Sequence, residues 1–119
     1  MIEGNFTVGE GYKLIVTIVE KGKASKLLTA VKKAGAEGGT ILLGRGTASK
    51  SIYLDLLGMN FEPEKEIILT GVKADKVDDV LQVIVNEGKI NKPGKGISFV
   101  LNIKGIAGIV HLLKHNDGE

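Results

Sequence analysis

With 119 residues, 43% of them hydrophobic and 25% charged, the chain has room for one domain with one core and is too apolar for global disorder. Its 16 basic and 14 acidic residues leave a net charge of +2, and its few aromatics (Phe6, Tyr12, Tyr53, Phe61, Phe99) build no stacking platform, so a nucleic-acid partner is not expected. The lack of cysteine removes disulfides, thiolate metal sites and thiol catalysis, and no apolar run approaches the roughly 20 residues that span a bilayer, so a cytoplasmic protein without membrane insertion is expected.

After a polar, glycine-containing leader over residues 1–11, residues 12–20 carry Leu14, Ile15, Val16, Ile18 and Val19, a β-branched run of the length of a strand buried on both faces. Residues 23–35 place Ala24, Leu27, Leu28 and Val31 at helical spacing, with lysines on the other face and Gly35 as the C-terminal stop. Residues 38–46 read as a second strand centred on Ile41, Leu42 and Leu43. A third strand at 67–72 follows Pro63 and two glutamates. Over 75–86, Val77, Val80, Leu81 and Ile84 form one helical stripe, and Asp75, Asp78 and Asp79 sit where the helix dipole favours negative charge. A fourth strand at 97–103 alternates Phe99, Leu101 and Ile103 with Ser98, Val100 and Asn102.

The order β-α-β-β-α-β in two similar halves predicts an α+β, ferredoxin-like fold over the whole chain, with its core at 12–104. In that fold a four-stranded antiparallel sheet carries both helices on one face. The first strand has Ile15 and Val19 on one face and Leu14, Val16 and Ile18 on the other, and the third has consecutive Ile67, Ile68 and Leu69, so the uncovered face would be an apolar patch of the kind that marks an interface. An oligomer packed sheet against sheet is expected. The closing segment 105–119, with Ile106, Ile109, Val110, Leu112 and Leu113, is expected to form a short helix or an extra strand that seals this contact.

Two glycine-marked segments flank the strands: Gly44-Arg45-Gly46 and Asn91-Lys92-Pro93-Gly94-Lys95-Gly96. Gly44 and Gly46 can bring backbone amides close to a phosphate, and they serve equally as the turn that ends a strand. Lys95 can place an ammonium on that phosphate or sit in solvent as a turn lysine. Arg45 and Lys92 are weaker cationic candidates. Between the segments, residues 47–62 form an arm longer than a compact domain needs and too apolar for simple disorder. Its Ile52, Leu56 and Met59, with Tyr53 beside them, can line one side of a short helix docked on a partner, or the arm can pack on its own oligomer. His111 and His115, four apart, lack a third metal ligand, and no serine or carboxylate pair forms a catalytic constellation. No metal site and no catalytic residue is expected.

Four runs, taken together and in order, resemble the PII nitrogen-regulatory signalling proteins, in particular their divergent PII-like members. They are Tyr12-Lys13-Leu14-Ile15-Val16-Thr17-Ile18-Val19, Ala34-Gly35-Ala36-Glu37-Gly38-Gly39-Thr40, Glu62-Pro63-Glu64-Lys65-Glu66-Ile67 and Pro93-Gly94-Lys95-Gly96-Ile97-Ser98-Phe99-Val100. The resemblance implies a homotrimer that binds adenine nucleotide (ATP, ADP or AMP) between subunits and controls a target protein, a transporter or metabolic enzyme, through its T-loop, here 47–62. It assigns the phosphate contacts to Gly44 and Gly46 and to the loop Pro93-Gly94-Lys95-Gly96, with Arg45, between the first two glycines, a weaker candidate beside them. Matching the family's loop lysine to Lys95 takes a shift of one residue relative to Phe99-Val100. The family glutamine that holds 2-oxoglutarate with magnesium falls on Ala48, so 2-oxoglutarate is not expected and magnesium is left open. The family's two phosphate-binding C-terminal arginines have no counterpart in 105–119, and the modified T-loop tyrosine falls near Asn60, so covalent control through Tyr53 is not expected. The alternative is a structural or metal-handling trimer of the same fold without a nucleotide site.

Overall fold

The computed structural model describes residues 6–8, 11–46 and 64–108. Among the described residues, six strands and two helices follow in chain order: β1 (Phe6–Val8), β2 (Tyr12–Glu20), α1 (Ala24–Ala34), β3 (Thr40–Arg45), β4 (Glu64–Lys73), α2 (Val77–Gly88), β5 (Gly96–Asn102) and β6 (Gly105–Ala107). A single 3₁₀ turn, Ala74–Lys76, leads into α2. The main sheet has the order β3-β4-β2-β5 with every neighbouring pair antiparallel, the ferredoxin-like arrangement.

Period-two alternation decides which side chains meet the helices. In β2, Ile15, Thr17 and Val19 are buried while Leu14, Val16 and Ile18 are half-buried on the opposite face. The register sets Ile15 against Thr70 and Thr17 against Ile68, so β4 contributes Ile68, Thr70 and Val72 to the same buried side. Against it lie Ala24, Leu27 and Val31 of α1 and Val80 and Ile84 of α2, with Leu28, Val77 and Leu81 at the margin. Each fully buried Val, Leu or Ile in this layer contributes about 1.5–3 kcal/mol. The hydroxyls of the two buried threonines are satisfied: Thr17 pairs with Ser98 at 3.0 Å and Thr70 donates to the Ile15 carbonyl at 3.4 Å.

The open face carries Leu14, Val16 and Ile18, paired in register with Leu101, Phe99 and Ile97 of β5, and Ile67 paired with Leu42 of β3. Leu42, Ile97, Phe99 and Leu101 keep 45–50% of their surface exposed, so the apolar face anticipated from the alternation is present in the single chain.

Three local outcomes differ from the sequence reading. Strand β4 begins at Glu64, three residues before the first apolar residue, because Glu64, Lys65 and Glu66 still pair with Arg45, Gly44 and Leu43 of β3. The leader contains a strand: β1 pairs antiparallel with β6, Phe6 opposite Ala107 and Val8 opposite Gly105. The closing segment therefore starts, within the described residues, as a strand in a separate two-stranded ribbon. Ile106 is buried there with Tyr12, and Ile103 packs against them.

Helix α1 also has a start that local sequence does not announce. No side chain of its own turn caps it; the Glu66 carboxylate, brought alongside by the β2–β4 pairing, accepts from the backbone N–H groups of Gly22 and Ala24, both at 2.9 Å.

Candidate functional site

Both glycine-marked segments reach the same end of the main sheet. There Gly44 and Arg45 close β3 opposite Lys65 and Glu64, and Gly96 opens β5 opposite Val19. Residues 47–63 lie between two positions that are themselves a cross-strand pair, Arg45 and Glu64, so the arm leaves and re-enters the sheet side by side directly after Gly44 and Gly46. Ile52, Tyr53, Leu56 and Met59, the arm's expected partner contacts, lie outside the described residues, as do Ala48, Asn60, His111 and His115.

The two segments are not adjacent within one chain. Strands β4 and β2 intervene, so Gly44 and Gly96 stand about 14 Å apart across three strand spacings. A single phosphate cannot bridge them.

Close packing accounts for part of the presence of Gly44, Gly46 and Gly96. A Cβ on Gly44 would lie 3.2 Å from the Ile67 Cδ1, and one on Gly46 would lie 3.3 Å from the Lys65 Cγ. At Gly96 the added atom would be 2.6 Å from the Ile18 carbonyl oxygen and 3.0 Å from Ile90, so only glycine lets β5 start this close to β2. Gly94 has φ +77°, a left-handed turn position with no other atom within 4 Å of a Cβ. Its backbone is open to solvent.

The charges at this sheet end are largely matched. Lys21 reaches Glu64 at 2.5 Å. The hydrogen bond from Lys21 and then its charge, with a smaller contribution from Arg45, hold the Glu64 carboxyl below its ordinary value, and the same hydrogen bond and charge hold Lys21 above its own. Lys95 lies 3.5 Å from Glu20. That ammonium, expected on a phosphate, is turned toward a carboxylate.

Register reveals a residue that the sequence reading passed over. Lys65 is paired with Gly44, on the open-face side with Ile67, next to the glycines proposed to hold phosphate. Its position inside the acidic run Glu64-Lys65-Glu66 looked like an ordinary alternating surface; the only available signal was that alternation turns it away from both glutamates.

A second concave feature lies on the helix side, where the first turn of α1 faces the end of α2 and the turn after it. This cleft encloses about 640 Å³ and is lined by Val19 and Leu27 at its apolar part and by a group of lysines that includes Lys95. Among the described residues no group of three or more His, Cys, Asp or Glu could hold a metal ion, and no helix is long and apolar enough to cross a membrane.

Over residues 12–110 the sequence matches the model of a family described as nitrogen regulatory protein P-II. No curated protein sequence matches it. Among solved structures, PII of Arabidopsis thaliana bound to citrate has a TM-score of 0.61 at 22% identity, with 80% of this chain and 79% of that one covered. CutA from Synechococcus elongatus has a TM-score of 0.67 at 13% identity, covering 94% of this chain and 89% of that one. At these identities the two structures establish a shared fold.

Proposed function

The chain belongs to the nitrogen regulatory protein P-II family, and from that premise we propose that it is a cytoplasmic signalling protein, not an enzyme, which binds adenine nucleotide between the subunits of a homotrimer and controls a target protein through residues 47–62. The observation that carries this reading is the placement of the arm. Gly44, Arg45 and Gly46 stand immediately before it, and Arg45 is paired with the residue at which the chain returns. A phosphate held by those backbone groups, with Lys65 beside them, therefore touches the point at which the chain leaves the sheet for residues 47–62.

The open sheet face supports the oligomer. Leu42, Ile97, Phe99 and Leu101, nearly half exposed in the single chain, supply the apolar area that sheet-against-sheet packing would cover. Assembly also answers the separation of the glycine segments, because a neighbouring subunit can place its own residues against either one. Gly94, Lys95 and Gly96 then serve as the second phosphate-contacting loop.

Control requires that ATP, ADP or AMP favour one arm conformation; a tenfold preference corresponds to about 1.4 kcal/mol, and equal affinity for both shifts nothing. The target is a transporter or a metabolic enzyme in nitrogen metabolism. Calorimetry with ATP, ADP and AMP, each with and without magnesium, tests the reading: binding is expected, and none at millimolar nucleotide to folded protein sinks it. Light scattering is expected to give three chains per particle, and Phe99→Glu is expected to yield monomer.

A second reading, a structural or metal-handling trimer without a nucleotide site, is favoured by the Lys95–Glu20 contact and by the packing that already explains Gly96. Lys95→Ala separates the two. Weakened nucleotide binding supports the signalling role of that loop, and unchanged affinity removes it.

A further inference from the structure

The helix-side cleft is more basic than the fold requires. Lys23 and Lys26 approach it from the start of α1, and Lys89, Lys92 and Lys95 from the turn after α2, against only Glu20 and Glu87. Lys95 is matched with Glu20, while Lys23, Lys26, Lys89 and Lys92 have no ion-pair partner among the described residues. Four unmatched ammoniums around one concavity repel one another, and neither the core nor the sheet gains from gathering them there.

The cleft has the volume of a small-molecule site. Its 640 Å³ falls in the range of ligand pockets, with Val19 and Leu27 forming an apolar part beneath the lysines. The N–H groups of Gly22 and Ala24 at the start of α1 are already taken by the Glu66 carboxylate, so they are not the anchor for an anion. The ammoniums are. Lysine offers compact, swivelling point charges in place of the flat fork of arginine, which suits phosphate oxygens or several carboxylates in varied directions.

We propose that this cleft binds a compact metabolite bearing multiple negative charges, as phosphate or as several carboxylates, at a site distinct from Gly44 and Gly46. Those glycines do not line it; they close β3, on the far side of β4 and β2 from the loop that carries Lys95.

Pyrophosphate and citrate, titrated separately into the full chain at low ionic strength and followed by calorimetry and amide NMR, provide the test. Saturable binding is expected, with amide shifts at residues 22–27 and 86–95, and the tighter of the two anions names the chemical source. The double variant Lys26→Ala, Lys89→Ala is expected to bind about tenfold more weakly or worse. Lys33→Ala, an exposed lysine of α1 outside the cleft, is expected to leave affinity unchanged. No saturable binding of either anion, equal losses in the double variant and in Lys33→Ala, or shifts confined to residues 44–46 and 94–96 would each overturn the proposal. Lys95 belongs both to this cleft and to the loop proposed for nucleotide phosphate, so the shifts at residues 22–27, which lie outside that loop, are what separates this site from the nucleotide site.

Discussion

Replacing Gly96 with alanine separates a packing requirement from a ligand requirement at the start of β5. The new Cβ would stand 2.6 Å from the Ile18 carbonyl oxygen, 3.0 Å from the Ile90 Cγ2 and 3.2 Å from the Val19 Cγ1. Ile18 lies in β2, which is hydrogen-bonded on both sides by β4 and β5, so its carbonyl cannot swing away. Relief must come from lifting the first residues of β5. Overpacking of this kind costs about 1–3 kcal/mol, and loss of one ladder hydrogen bond adds about 1 kcal/mol, so a destabilisation of roughly 2–4 kcal/mol is expected. Gly94→Ala is the internal comparison: its φ of +77° penalises a side chain by about 1–2 kcal/mol, with no clash to add. Urea unfolding of both variants at one fixed protein concentration reads the difference as a shift in midpoint at constant slope. If Gly96→Ala unfolds within about 0.5 kcal/mol of the parent, or no earlier than Gly94→Ala, the steric argument is wrong. A stable Gly96→Ala that loses nucleotide affinity would instead give that glycine to the ligand.

Glu66→Ala removes the side-chain cap of α1 and leaves a part-buried Ala24 N–H without that partner, so thermal unfolding should show a loss of about 1–2 kcal/mol. Both bonds go to one carboxylate oxygen, so Glu66→Gln should lose less, and equal effects of the two changes would refute the cap. The Lys21–Glu64 pair sets a pH window. Glu64 titrates below its ordinary 4.5 in the folded chain, so its contribution is present above that value and lost as the pH falls through the depressed one. Lys21 titrates above 10.5, so its contribution is present below that value and lost as the pH rises through the raised one. Lys21→Met should flatten both limbs of a stability-against-pH profile while changing stability near neutrality little, because the pair is exposed. An acid limb as steep as the parent's would count against the pairing.

The main elements and their buried faces were legible in the sequence because they rest on short-range periodicity. Ala24, Leu27 and Val31, then Val80 and Ile84, form helical stripes, and Ile15 and Val19 alternate with Leu14, Val16 and Ile18, whatever the rest of the chain does. The open apolar face followed from the same alternation. Gly44, Arg45, Gly46 and the loop 94–96 were also visible, since glycine spacing is local, and the family match over residues 12–110 agrees with the runs that carried the resemblance.

Relations between distant segments were decided only by the tertiary structure. The pairing of β2 with β4 delivers the Glu66 carboxylate to the start of α1, more than 40 positions earlier in the chain. The pairing of β1 with β6 joins the leader to the closing segment. Strand order sets the two glycine segments at one end of the sheet with two strands between them, and the approach of α1 to the end of α2 gathers Lys23 and Lys26 beside Lys89 and Lys92. Periodicity states which way a side chain points from its own element. What it then meets depends on strand order and register, fixed by hydrogen-bonded ladders and by burial summed over the whole core, and no local window of sequence contains either.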